Sequence, residues 1–168
     1  MAVVINVIGS CSNVGKTTLI EGVIKELRKK GHSISTIKHD VHGFDIDKEG
    51  KDTWRHRKAG AETVLIASKK RMAVIKELDK EIPLEELIKK VSDSDFILVE
   101  GYKKSKYKKI EVFRKGISKE IITPKENLIA IASDDNIFIK DIPTININDY
   151  SKLAEVIEGL KENSDIYN

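Results

Sequence analysis

The chain contains a single cysteine, Cys11, so a disulfide within the chain is impossible and a reducing compartment is expected. Aromatic residues make up only 5% of the sequence, and no apolar run approaches the about 20 residues that span a membrane. No charged leader precedes the first apolar run, so no signal peptide is expected. The 30 basic and 27 acidic residues leave a net charge of +3, too small an excess to indicate nucleic-acid binding. We therefore predict a cytoplasmic protein without a membrane or nucleic-acid partner.

The hydrophobic pattern alternates between strands and helices. The 168 residues are enough for one compact domain with a sizeable core, and no linker or repeat interrupts them. Strands are predicted at residues 3–8, 32–38, 63–67, 72–75, 95–99, 110–113, 128–132 and 144–147. Helices are predicted at residues 17–30, 52–59, 83–91 and 150–161. This order predicts an α/β fold with a mostly parallel sheet and some antiparallel strands from a hairpin at residues 63–75.

The first apolar run ends in small residues and then in Gly15-Lys16-Thr17-Thr18, which opens a helical pattern. This order is typical of a P-loop (the Walker A motif), whose backbone N–H groups surround a polyphosphate at a helix N-terminus. Lys16 is expected to reach the β- and γ-phosphates and Thr17 to bind Mg²⁺. Ser10 replaces the usual first glycine of the motif, and Gly9 precedes it, so the loop is a variant. The predicted nucleotide-binding residues here are Ser12, Asn13, Val14, Gly15, Lys16, Thr17 and Thr18.

Acidic residues follow two other predicted strands, where ligands of a parallel sheet gather. Glu100 ends a buried strand in the Walker B position, where a carboxylate orients Mg²⁺ or the attacking water. Asp40 follows the second strand and could hold Mg²⁺ directly or through water, or it could be a turn residue. Lys16 and Glu100 are the predicted catalytic residues, and Thr17, Asp40 and Glu100 are the predicted metal ligands.

The long polar loop at residues 39–52 leaves further alternatives open. His39, His42, Asp45 and Asp47 suggest a transition-metal site, although a partner cysteine and a helical histidine pair are lacking. Arg55 and Arg57, on the following helix, either contact phosphates or lie on a solvated face.

A basic run covers residues 103–109 and has Tyr107 within it. Such a run either gathers a polyanionic substrate or an acidic partner, or is a solvated loop.

The residues after the predicted strand at 128–132 are candidates for recognising a base. Ser133, Asp134 and Asp135 stand there in chain order, and an aspartate can accept the N–H groups of a guanine. The usual Asn-Lys-x-Asp form is absent. We predict Ser133 and Asp134 as nucleotide-binding residues, with Asp135 as the alternative to Asp134.

Taken together, these motifs resemble the family of molybdopterin-guanine dinucleotide biosynthesis protein B, called MobB, which belongs to the P-loop GTPase class. The similarity extends over nearly the whole chain. Its segments are residues 15–18, 37–40, 45–47, 50–52, 57–61, 97–103, 112–114 and 131–134. The family often has a glycine where Ser10 stands.

The resemblance implies a homodimer that binds GTP and hydrolyses it weakly. It also implies that the protein assists the guanylyltransferase that joins GMP to molybdopterin. Slow hydrolysis agrees with the residues, because no arginine finger is evident within the site; Arg55, Arg57 or Arg114 could supply that charge across a dimer. The hairpin at residues 63–75 offers an edge for pairing.

Two other functions stay open. One is an ATP-dependent enzyme of the dethiobiotin-synthetase kind, which has a similar P-loop and a Glu-Gly pair after a strand. The other is a nucleotide-dependent adaptor that does not hydrolyse its nucleotide. A preference for GTP over ATP favours the MobB interpretation over the ATP-dependent enzyme. Hydrolysis of the nucleotide without any other substrate argues against a pure adaptor.

Overall fold

The computed structural model describes residues 2–165, with side chains as far as residue 161. The strands are β1 Val3–Ile8, β2 Ile34–Lys38, β3 Thr63–Ala67, β4 Met72–Lys76, β5 Phe96–Glu100, β6 Lys108–Phe113, β7 Leu128–Ser133 and β8 Thr144–Asn146. The helices are α1 Lys16–Lys29, α2 Asp52–Lys58, α3 Leu84–Lys89 and α4 Tyr150–Asp165. Every predicted strand and helix is present, with its ends shifted by a few residues at most.

The chain divides into two compact units. Unit 1 contains the described residues of Met1–His39 and Leu84–Asn168, and unit 2 is Asp40–Pro83. That residues 1–168 act as one nucleotide-binding domain stays a prediction. No helix within residues 2–165 is both long and apolar enough to cross a membrane.

The sheet of unit 1 has six strands in the order β2-β5-β1-β6-β7-β8, and all its neighbouring strands are parallel. β1 lies between β5 and β6, so strands that come later in the chain lie on both sides of it. Val7 is in register with Glu100, and Ile8 with Glu111. The carboxyl end of β1 is thus the switch point at which α/β sheets bind ligands.

Apolar side chains cover both faces of this sheet. α1 contributes Leu19 and Val23 to the larger cluster, and α4 contributes Leu153 and Ile157, packed against strand residues such as Ile5. α3 contributes Leu84 to a second cluster with Ile97 and Val99 on the other face. Because helices bury both faces, the central strands are nearly continuous runs of aliphatic residues. The predicted α/β fold, with a mostly parallel sheet and a few antiparallel strands, is confirmed.

Unit 2 contains the antiparallel strands. Among the described strands, β3 and β4 pair only with each other, so they form a separate two-stranded sheet and do not extend the parallel one. α2 packs against β3, and Val64 is buried.

Candidate nucleotide-binding site

The loop between β1 and α1 comes close to its neighbours at Gly9. A Cβ atom there would lie 2.7 Å from Val14 Cγ2 and 3.2 Å from the carbonyl oxygen of Val112. Only glycine fits such an approach. The φ of Ser10 does not lie in the left-handed region, so this position does not require a glycine on that ground.

The N-terminus of α1 is open for an anion. Gly15 precedes the helix with φ 101°, and Asn13 has φ 60°, both in the left-handed region. Gly15 supplies no side-chain cap, and no acidic residue lies within the first turn of the helix. The positive dipole end of α1 is therefore not compensated by a residue of its own first turn.

The predicted nucleotide-binding residues of the P-loop surround this helix end. Ser12, Asn13, Thr17 and Thr18 are exposed, whereas the Val14 side chain is fully buried and leaves only its backbone for a ligand. The ammonium of Lys16 bends over the loop and donates to the carbonyl oxygen of Cys11 at 3.0 Å. A phosphate oxygen is a stronger acceptor than this carbonyl because it is charged.

Thr17 and Glu100 meet at the carboxyl end of the sheet. The Thr17 hydroxyl lies 3.4 and 3.5 Å from the two carboxylate oxygens of Glu100. Two neighbouring ligands of an octahedral Mg²⁺, each 2.0–2.1 Å from the ion, lie about 3 Å apart. A hydroxyl and a carboxylate at this spacing are oxygen donors of the kind Mg²⁺ prefers, so this pair fits the ion.

Asp40 belongs to unit 2. Its Oδ1 accepts the backbone N–H of His42 at 3.0 Å, which is a turn contact. Its role as a metal ligand stays a prediction.

The carboxylates of the polar loop are held by Arg57. Its guanidinium donates to Asp45 at 2.9 Å and to Glu77 at 3.1 Å, and it lies 3.6 Å from Asp47. Hydrogen bonds to Glu77 and Asp45 raise the pKa of Arg57. Among residues 2–165, no group of three or more His, Cys, Asp or Glu is placed to hold a metal ion. The transition-metal interpretation therefore has no support, and Arg57 has its own partners within unit 2.

The basic run at residues 103–109 is not a solvated loop throughout. Lys108 and Lys109 already belong to β6, two residues before the predicted start of that strand. Lys109 is fully buried, and its ammonium donates to the carbonyl oxygens of Ser105 and Tyr107. Burial lowers the pKa of Lys109. Lys103 extends to the P-loop, where its ammonium donates to the carbonyl oxygen of Ser10 at 2.9 Å.

Ser133 and the aspartates after it form a compact turn beyond β7. The Ser133 hydroxyl accepts the N–H of Asp135 at 3.0 Å, and Asp135 accepts the N–H of Lys115 at 2.9 Å. Asp134 is half exposed and lies 3.6 Å from Nε of Arg114. Of the two candidates, Asp134 is the more accessible to a base, and its role in recognition stays a prediction.

Ile147 connects this turn with the P-loop. Its N–H donates to the Ser133 carbonyl at 3.1 Å, and its side chain lies 3.4 Å from a Cβ placed on Gly15. Ile147 thus lies next to both the start of α1 and the turn at Ser133.

Sequence reasoning assigned no role to Asn6. This residue is fully buried in β1, where its amide nitrogen donates to Gly101 O at 2.8 Å and its oxygen accepts the Ser105 hydroxyl at 3.1 Å. The available signal was a lone polar residue inside an aliphatic run, since such a residue needs a partner when buried.

Comparisons with known proteins agree on one family. Residues 4–134 match the family described as molybdopterin guanine dinucleotide synthesis protein B. The chain is 37% identical over 158 residues to the molybdopterin-guanine dinucleotide biosynthesis adapter protein of Escherichia coli (strain K12), a match covering 90% of each chain. It is 36% identical over 150 residues to the protein of that name from Haemophilus influenzae, covering 88% of this chain and 84% of the relative.

Solved structures agree in fold. A crystal structure of a molybdopterin-guanine biosynthesis protein B superposes with a TM-score of 0.72 at 24% identity, covering 94% of this chain and 99% of the other. Bacillus subtilis MobB superposes with a TM-score of 0.69 at 25% identity, covering 94% and 96%.

Proposed function

Since the chain belongs to the molybdopterin guanine dinucleotide synthesis protein B family, it has an accessory role in molybdenum cofactor biosynthesis, and we propose that it fills this role as a GTP-binding adapter. In this proposal it assists a guanylyltransferase that attaches GMP to molybdopterin. The work takes place in the cytoplasm, and the adapter acts as a homodimer.

One observation carries the nucleotide part of the proposal. Thr17 and Glu100 come from distant parts of the chain, yet their oxygens lie 3.4–3.5 Å apart at the uncapped start of α1. A metal-binding pair beside an anion-binding helix end is what a Mg²⁺–nucleotide requires. When bound, Mg²⁺ would neutralise charge on the β- and γ-phosphates.

Hydrolysis in this proposal is weak. Arg57 is engaged by Asp45 and Glu77, both within unit 2, so we do not assign it as an arginine finger. A site without an arginine finger lacks an element worth roughly 10³–10⁵ in rate.

We propose that Asp134 accepts the guanine N–H groups and that Asp40 is a further metal ligand.

Calorimetric titration of the wild type with Mg²⁺–GTP and Mg²⁺–ATP tests the proposal. We expect GTP to bind at least about tenfold more tightly, because an adenine offers Asp134 no pair of N–H groups and leaves this acceptor unpaired. Lys16→Ala should abolish binding without lowering the melting temperature. Lys25→Ala, which removes one charge from the exposed face of the same helix, is the matched control and should bind normally.

Each outcome bears on a separate part of the proposal. Wild-type affinity in Lys16→Ala would remove the P-loop assignment. Equal affinities for the two nucleotides would remove the guanine assignment, and tighter ATP binding would favour the dethiobiotin-synthetase kind of enzyme.

A further inference from the structure

Two lysines, not one, rest on the P-loop. The ammonium of Lys16 donates to the Cys11 carbonyl at 3.0 Å, and that of Lys103 donates to the neighbouring Ser10 carbonyl at 2.9 Å. Lys103 is 93 residues from Ser10 in the chain, so this contact depends on the path of the segment that follows β5.

Asn6 of β1 holds that segment, residues 101–105, in place. The buried amide binds the Gly101 carbonyl at 2.8 Å and the Ser105 hydroxyl at 3.1 Å, so it fastens both ends of residues 101–105 to β1. The Ser105 N–H also donates to the Tyr102 carbonyl at 2.9 Å, which closes a turn around Lys103. The position of Lys103 therefore follows from the central strand of the sheet.

The backbone of the segment is strained at Tyr102. Its φ of 49° lies in the left-handed region, which a bulky side chain rarely adopts. The Tyr102 ring stacks on His39, with ring centroids 4.4 Å apart and an angle of 24° between the planes. Such strain persists where the surrounding contacts impose it, and it concentrates at functional sites.

From this geometry we propose that Lys103 is a second phosphate-binding cation of the nucleotide site. An ammonium bound to a neutral carbonyl exchanges it readily for a charged phosphate oxygen, which is the stronger acceptor. The terminal phosphate spreads its charge over several oxygens, so a second ammonium has its own oxygen to bind. The proposal rests on the nucleotide-binding function proposed above and adds a residue to it.

The test is calorimetry of the full chain with Mg²⁺–GTP and with inorganic tripolyphosphate, which carries no base. Lys103→Ala should weaken binding of both ligands about ten- to hundredfold, the loss of one hydrogen bond to a charged group. Lys104→Ala removes the same charge from the next, exposed residue and should change affinity less than about twofold. Lys103→Arg should keep most of the affinity because it keeps the charge.

Four results separate this inference from the guanine assignment, and all but the third would overturn the inference. Equal losses in Lys103→Ala and Lys104→Ala would mean that the run acts only through its diffuse charge. A lower melting temperature in Lys103→Ala with unchanged affinity would mean that Lys103 only stabilises the loop. If the wild type bound tripolyphosphate but showed no preference for GTP, the guanine assignment would fail while Lys103 stayed testable. If it bound neither ligand, both proposals would fall.

Discussion

Polar residues buried in the central strands hold the loops around the site. Asn6 binds Gly101, and Lys109 binds Ser105 and Tyr107. Glu111 is also buried, and its carboxylate accepts the N–H groups of Ile122 and Thr123, the latter at 2.8 Å. A buried polar group without a partner is costly, so each of these side chains ties its loop to one position.

Glu100 is the residue at which binding and turnover should separate. Glu100→Gln keeps the shape but removes the charge that orients Mg²⁺ or the attacking water. We expect kcat for GTP hydrolysis to fall about 10²-fold, while GTP affinity changes less than about threefold. Steady-state hydrolysis at saturating GTP and calorimetry measure the two quantities.

Glu21→Gln serves as the control for this variant. Glu21 is an exposed carboxylate on α1, so its neutralisation should leave turnover unchanged. Unchanged turnover in Glu100→Gln would contradict the Walker B assignment.

At the scale of elements, the hairpin of unit 2 exposes an apolar face. Leu65 is opposite Val74, and Ala67 is opposite Met72, so these side chains share one face of the two-stranded sheet. Leu65, Met72 and Val74 are 59%, 66% and 52% exposed. An isolated hairpin is only marginally stable in water, and α2 packs against β3. An uncovered apolar face of this kind is typical of an interface.

We expect this hairpin to form the proposed dimer interface. Val74→Lys places a charge in the middle of the face and should convert a dimer into a monomer, as measured by sedimentation at several concentrations. Phe138→Lys is the control, because Phe138 is 91% exposed and lies in unit 1. A dimer that persists in Val74→Lys would remove the hairpin from the interface, and a wild type that stays monomeric at high concentration would remove the dimer itself.

At the scale of the whole molecule, a polar cluster lies at the amino ends of the strands, opposite the P-loop end of the sheet. Asp95 precedes β5 and accepts hydrogen bonds from Lys161 of α4 at 2.7 Å and from the N–H and hydroxyl of Ser33 at 2.8 Å. The Lys161 hydrogen bond, followed by those from Ser33, lowers the pKa of Asp95 well below its ordinary value. This carboxylate thereby links α4 with the segments that begin β2 and β5.

The lowered pKa predicts how stability depends on pH. The unfolded chain protonates Asp95 at about pH 4, before the folded chain does, so the stabilisation is complete above that pH and is lost as the pH falls below it. Asp95→Asn should therefore lower the melting temperature at pH 7, and the difference from wild type should shrink toward pH 3. Asp93→Asn, at an exposed carboxylate two residues away, should show no such convergence. A difference that is constant from pH 7 to pH 3 would contradict the prediction.

Local patterns in the sequence were enough to predict the elements and the P-loop. Aliphatic runs identify the buried strands of a parallel sheet, and Gly15-Lys16-Thr17 at the start of a helical pattern predicts an anion site, because both depend on residues close together in the chain. The same reasoning placed Glu100 at a strand end. It could not tell that the hairpin would form its own sheet, since pairing between strands depends on partners elsewhere.

The sequence by itself determined the α/β class, and it predicted the phosphate-binding loop and its lysine. Only the tertiary structure decided that Thr17 meets Glu100, that Asn6 anchors Gly101 and that Lys103 reaches Ser10. These pairs are more than 80 residues apart along the chain, so no local spacing encodes them. Their contacts arise because β5 lies beside β1 in register, which brings the residues after both strands to the same edge.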